Sequence, residues 1–133
     1  MLALLVAAAS LGYTLTRPSA STTSSQTSTP QSRSFVVIVE KQNFSESTAG
    51  IPNYTFAPTS IVVNQGDKVT ILFYNTDTSK HTFTIGAPYN VNMDLSGGMN
   101  SSVTFTASTA GVFLYYCQYH FPTMEGQLIV LAD

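Results

Sequence analysis

The chain is predicted to fold as an antiparallel β-sandwich, and three observations carry that prediction. From Phe35 onward, apolar side chains recur at every second residue in short runs. Clusters of Gly, Pro, Asn and Asp separate those runs. No segment holds a helical period of useful length. A period of two marks a strand with one buried face, and about seven such runs in roughly 100 residues suit two packed sheets.

Taken in order, Phe35, Val37 and Val39 make the first run, and Ile61 to Val63 lead into a turn at Asn64-Gln65-Gly66-Asp67. Val69, Ile71 and Phe73 then alternate with Thr70, Leu72 and Tyr74. After the turn Asp77-Thr78-Ser79-Lys80, His81 opens a run in which Phe83 and Ile85 alternate with Thr82 and Thr84. Asp94 and Gly97-Gly98 are expected in an irregular loop with at most one helical turn. Val103 and Phe105 form the next run. Val112, Leu114 and Tyr116 alternate with Phe113, Tyr115 and Cys117, and Leu128 to Leu131 closes the chain.

Two segments precede this domain, which is expected over residues 35–133. Residues 1–13 begin with the apolar run MLALLVAAASLG, shorter than the ~20 residues that cross a bilayer and without a basic start. They are expected to serve as an export signal or an anchor. Residues 14–34 hold almost nothing but Ser, Thr, Pro, Gln, Ala and Arg. Such a stretch buries too little surface to offset its ordering entropy, so a flexible linker is expected. Asn43, Asn53 and Asn100 each open an N-glycosylation sequon.

The chain has 5 basic and 7 acidic side chains, for a net charge of −2. All seven acidic residues follow Ser34, against Lys41, Lys68 and Lys80 alone of the basic ones. A mildly acidic domain without a basic stripe argues against nucleic acid as a partner. The single cysteine excludes an internal disulfide, leaving a reactive thiol or a metal ligand.

That cysteine, Cys117, lies in Tyr116-Cys117-Gln118-Tyr119-His120-Phe121-Pro122-Thr123-Met124-Glu125-Gly126. His120 follows after two residues and Met124 after three more, Gly126 is expected to permit the turn into the closing strand, and His81 starts a strand-like run upstream. If both strand ends share one pole of the sandwich, all four side chains converge. One thiolate, two imidazoles and a weak thioether form the donor set of a mononuclear blue-copper centre. Copper would deprotonate Cys117, whose ordinary pKa is ~8.5. Zinc also suits Cys and His, but a thioether is a poor zinc ligand. A binuclear copper centre needs two cysteines, and a copper enzyme with a second site needs further histidines; both histidines here are already used. No Gly-x-Ser-x-Gly elbow is present, and Cys117 with His120 on one tight loop suits a metal better than a base–nucleophile pair.

From Phe56 to Val130 the sequence resembles the small cupredoxins of the plastocyanin and amicyanin type. The resemblance is carried by Phe56-Ala57-Pro58-Thr59-Ser60-Ile61, Gly66-Asp67-Lys68-Val69, Asn75, His81, Gly111-Val112-Phe113-Leu114-Tyr115-Tyr116-Cys117, His120, Met124 and Gly126. It implies an eight-stranded Greek-key sandwich with His81, Cys117 and His120 as equatorial ligands and Met124 as the axial one. It also implies an electron port at the exposed edge of His120, with Phe121, Pro122, Pro88 and Tyr89 as an apolar docking collar. Three features depart from the family: the three-residue spacer before Met124, Lys80 beside His81, and Thr82 where many relatives have Asn.

The expected function is that of a one-electron carrier holding one copper ion that cycles between Cu+ and Cu2+, and not of an enzyme. It is expected to be a monomer outside the cytoplasm, whether periplasmic, secreted or tethered to a membrane by its N-terminal segment. Redox protein partners are expected to dock near His120. The alternative is a module that captures, delivers or senses copper without shuttling electrons.

Overall fold

A computed structural model describes residues 28–133, which form nine strands and one short helix. In chain order these are β1 (Ser32–Lys41), α1 (Glu46–Ala49), β2 (Tyr54–Ala57), β3 (Ser60–Asn64) and β4 (Lys68–Tyr74). Then come β5 (His81–Ile85), β6 (Val91–Leu95), β7 (Asn100–Thr106), β8 (Gly111–Tyr116) and β9 (Glu125–Leu131). One sheet runs β2-β1-β4-β7 and the other β3-β9-β8-β5-β6. The sandwich is thus as expected, but with nine strands instead of the eight that the resemblance implies, and with two parallel pairs in place of wholly antiparallel sheets. β1 pairs with β4, and β3 with β9, in parallel. Neither pair is joined by a hairpin, so nothing obliges those strands to run antiparallel.

The alternation seen in the sequence is the alternation of burial. Val69, Ile71 and Phe73 of β4 point into the core, as do Val37 and Val39 of β1. Two strands were not read from the sequence. β2 is only four residues long and precedes the change of sheet between Ala57 and Ser60. β6 occupies the segment expected to be a loop: Val91, Met93 and Leu95 face inward while Asn92 and Asp94 are exposed. The single helical turn lies at Glu46–Ala49 instead. No helix among the described residues is long and apolar enough to cross a membrane.

The first strand starts earlier than composition suggests. Ser32–Ser34 pair with Lys68–Thr70, and the fully buried Asp67 fastens this entry. Its carboxylate accepts the N–H of Gln31 at 2.8 Å and of Asn64 at 3.0 Å, and lies 3.4 Å from Arg33 Nε. A charged clasp therefore draws polar residues of the linker into the sheet, and Arg33 joins the folded unit. Residues 1–27, with the apolar segment and most of the linker, lie outside the described residues.

At the centre, the rings of Phe56, Phe73, Phe83 and Tyr115 pack with centroids 5.1–6.0 Å apart. Tyr115 donates its hydroxyl to the Pro58 carbonyl at 2.7 Å, so its one polar atom is satisfied although the residue is buried.

Candidate metal centre

The strand period that builds the aromatic core also delivers the candidate ligands. His81 lies two residues before Phe83 on β5, so it points to the same inner face. Cys117 lies two residues after Tyr115 and is likewise buried. β5 and β8 are antiparallel, with Ile85 opposite Tyr115, so the start of β5 and the end of β8 lie at one pole. The sulfur and the imidazole thus cap one end of the core.

His120 reaches the same place by a tight turn. Its N–H points to the Cys117 carbonyl at 3.4 Å, and its own carbonyl accepts the Met124 N–H at 3.0 Å. The Met124 carbonyl then accepts the Cys117 N–H at 3.0 Å. These bonds bring the ends of the 117–124 loop together and turn Met124, fully buried, back toward the cysteine.

The donor atoms converge. His81 Nδ1 and His120 Nδ1 are 3.1 Å apart, and Cys117 Sγ lies 3.9 Å from the first and 3.4 Å from the second. His81, Cys117 and His120 are the one such cluster of His, Cys, Asp or Glu among the described residues. An ion bonded at ~2.0 Å to nitrogen and ~2.3 Å to sulfur in a trigonal plane spaces its donors by about 3.5–3.7 Å. The observed separations bracket that value, so these residues fit a single metal ion.

The surroundings hold the donors in place. Cys117 Sγ accepts the Thr82 N–H at 3.3 Å, so the backbone serves although the side chain is Thr. The Thr82 hydroxyl is used elsewhere, accepting the Gln118 N–H at 2.9 Å. Burial pushes the Cys117 thiol up, but its bonds with His81, the Thr82 and Tyr119 N–H groups and His120 outweigh this and bring it down to about 6. Burial alone would lower the pKa of His81; its bonds to Cys117 and Asp77 reverse that and raise it. Asn75 ties the preceding loop to its neighbour by donating to the carbonyls of Ser79 at 2.8 Å and Ser96 at 3.1 Å. Gly97 is required there, because a β-carbon would collide with the Thr78 carbonyl.

Some sequence readings need correction. Pro88 and Tyr89 are in the β5–β6 turn, at the pole opposite His120, where the Tyr89 hydroxyl donates to the Thr109 carbonyl at 2.6 Å. They cannot belong to a collar around His120. Phe121 and Pro122 are beside it and exposed, and so is Tyr119. Lys80 is engaged by Asp94 at 3.7 Å and sits over the Tyr119 ring. Gly126 has no turn to make: it lies within β9 opposite Tyr115, whose ring occupies the space a β-carbon would take. Among the sequons, Asn43 and Asn100 are exposed, whereas Asn53 is buried and its amide donates to the Phe44 carbonyl at 3.2 Å. Sequence reasoning missed Tyr54, whose ring lies 4.8 Å from that of His81 and 4.6 Å from that of His120. The alternation Tyr54-Thr55-Phe56, just ahead of Pro58, was the available signal.

Comparison with known proteins agrees with this geometry. The profile of the cupredoxin-like domain matches residues 6–130. The chain belongs to that family. Two curated relatives by sequence are nitrous-oxide reductases, from Pseudomonas fluorescens (31% identical over 74 residues) and Stutzerimonas stutzeri (30% over 77). The alignments take in 53% and 56% of this cupredoxin but only 11% and 12% of those reductases. Among solved structures it resembles auracyanin A, a blue copper protein from Chloroflexus aurantiacus, with a TM-score of 0.56 and 23% identity. That match covers 74% of this chain and 98% of the other. A multicopper oxidase matches at a TM-score of 0.61 and 18% identity, over 76% of this chain and 42% of its own. These structural likenesses establish the shared fold.

Proposed function

We propose that this cupredoxin is a mononuclear type 1 copper protein that carries single electrons between redox partners outside the cytoplasm. In this reading His81, Cys117 and His120 would hold the ion through two imidazole nitrogens and a thiolate, and Met124 would add a weak thioether donor. The observation that carries it is the meeting of Cys117 Sγ with two imidazole Nδ1 atoms at 3.1–3.9 Å. Copper bound there would supply a one-electron couple between Cu+ and Cu2+.

The chain's own residues favour rapid exchange of that electron. Donors fixed by backbone hydrogen bonds and by burial cannot rearrange much when the charge of the ion changes. Among the four, His120 alone keeps an exposed edge, and partners would approach there over Phe121, Pro122 and Tyr119. The protein would itself make or break no bonds. A location outside the cytoplasm is supported by the apolar start of the chain and the Ser/Thr-rich segment behind it.

The test is absorption spectroscopy with a reversible redox titration of copper-loaded protein. An intense copper–thiolate charge-transfer band and a one-electron couple are expected, and Cys117→Ser abolishes the band. Protein that binds only Cu+, without colour, would point to copper handling instead.

A further inference from the structure

His81 offers one nitrogen to the metal site, and the other is engaged by a carboxylate. His81 Nε2 lies 3.1 Å from Asp77 Oδ2, and the imidazole is wholly buried while the Asp77 side chain is 23% exposed. The same Asp77 oxygen accepts the Ser79 N–H at 3.1 Å. The Asp77 N–H donates to Asn75 Oδ1 at 3.1 Å, and the Asp77 carbonyl accepts the Gly98 N–H at 2.9 Å. Four contacts therefore fix one short segment, and its acidic group is aimed at the back of a buried ring.

We infer that Asp77 is a positioning residue of the metal centre that tunes its redox balance through His81. This rests on the proposed copper site. A carboxylate accepting the Nε2 proton fixes the tautomer in which Nδ1 keeps its lone pair for the metal. Negative charge so close also makes the imidazole a stronger donor. A stronger donor and a nearby anion both favour the more positive ion, so Asp77 holds Cu2+ relative to Cu+ and lowers the potential. His120 has no carboxylate partner among its hydrogen bonds, so the effect enters through one ligand only. Of the other acidic groups near the site, Asp94 faces Lys80, and Glu125, next to Met124, lies opposite Tyr116 in the β8–β9 ladder.

The experiment compares Asp77→Asn, Asp77→Ala and Asp94→Asn in the full chain. In copper-loaded protein, Asp77→Asn keeps an acceptor and removes the charge, so the Cu2+ to Cu+ affinity ratio is expected to fall about tenfold, an upward shift of about 60 mV. Asp94→Asn is expected to change that ratio less than twofold, with the visible band retained in both. In metal-free protein at alkaline pH, nitrogen-15 NMR is expected to show the His81 proton on Nε2, with mixed tautomers in Asp77→Ala. Equal potentials for Asp77→Asn and Asp94→Asn, or a His81 proton on Nδ1 in the wild type, would overturn the inference. Absence of the charge-transfer band from wild-type protein would instead defeat the copper reading, and the NMR result would still decide how Asp77 orients His81.

Discussion

His81 and His120 present the same atom to the same point, yet the regions behind them are built differently. His81 is fully buried, backed by Asp77 and by a loop that Asn75, Ser79 and Gly97 lock against its neighbour. His120 stands partly exposed on a loop closed by its own backbone hydrogen bonds, with exposed aromatic side chains on either side. One histidine is anchored by long-range structure and the other by local sequence. The first sets the geometry and the second opens it to the surface.

The sharpest way to break this contrast is to remove each ring in turn. His120→Gly is expected to leave a surface gap that added imidazole fills, restoring the visible band of copper-loaded protein. His81→Gly leaves a closed cavity, costs on the order of 2–4 kcal/mol in denaturant unfolding, and is not rescued. Rescue of both variants to the same extent would erase the distinction between the two sides.

A smaller effect is expected from the loop behind His81. Gly97→Ala forces a methyl group against the Thr78 backbone and should cost about 1–3 kcal/mol. It should also displace Asp77 and shift the His81 ring resonances more than those of His120. Smaller again is Tyr54→Phe, which keeps the ring against both histidines and deletes only the hydroxyl contact with Ser79 Oγ at 3.0 Å. About 1 kcal/mol of stability is expected to be lost, with the band unmoved.

The smallest effect on the site should come from acid acting far from it. Asp67 has a folded pKa held below its ordinary 3.8, chiefly by the N–H groups of Gln31 and Asn64. Because the folded value is the lower one, this clasp stabilises the fold above pH ~4 and loses its contribution as pH falls below that. Thermal unfolding followed from pH 6 to pH 3 should show the loss, and Asp67→Asn should flatten it.

How much of this was legible depended on the same contrast between local and long-range order. Cys117, His120, Met124 and Phe121 stand in one stretch of sequence, so their grouping could be read directly. The period of two placed His81 with Phe83, and Cys117 with Tyr115, on inner faces. Asp77 was visible only as a turn residue, because its role arises when the loop folds over the ring four residues on. Tyr54 was hidden because β2 is too short to display a period, and Pro88 and Tyr89 were misplaced because sequence distance from His81 does not reveal which pole a turn occupies. Gly126 looked like a turn glycine, when what needs it is the Tyr115 ring lying across the neighbouring strand.

The most direct test of the central claim is X-ray absorption at the copper edge of the loaded protein. One short copper–sulfur bond and two copper–nitrogen bonds near ~2.0 Å are expected, with no second copper nearby. A spectrum fitted by nitrogen and oxygen alone, without the Cys117 sulfur, would contradict the account.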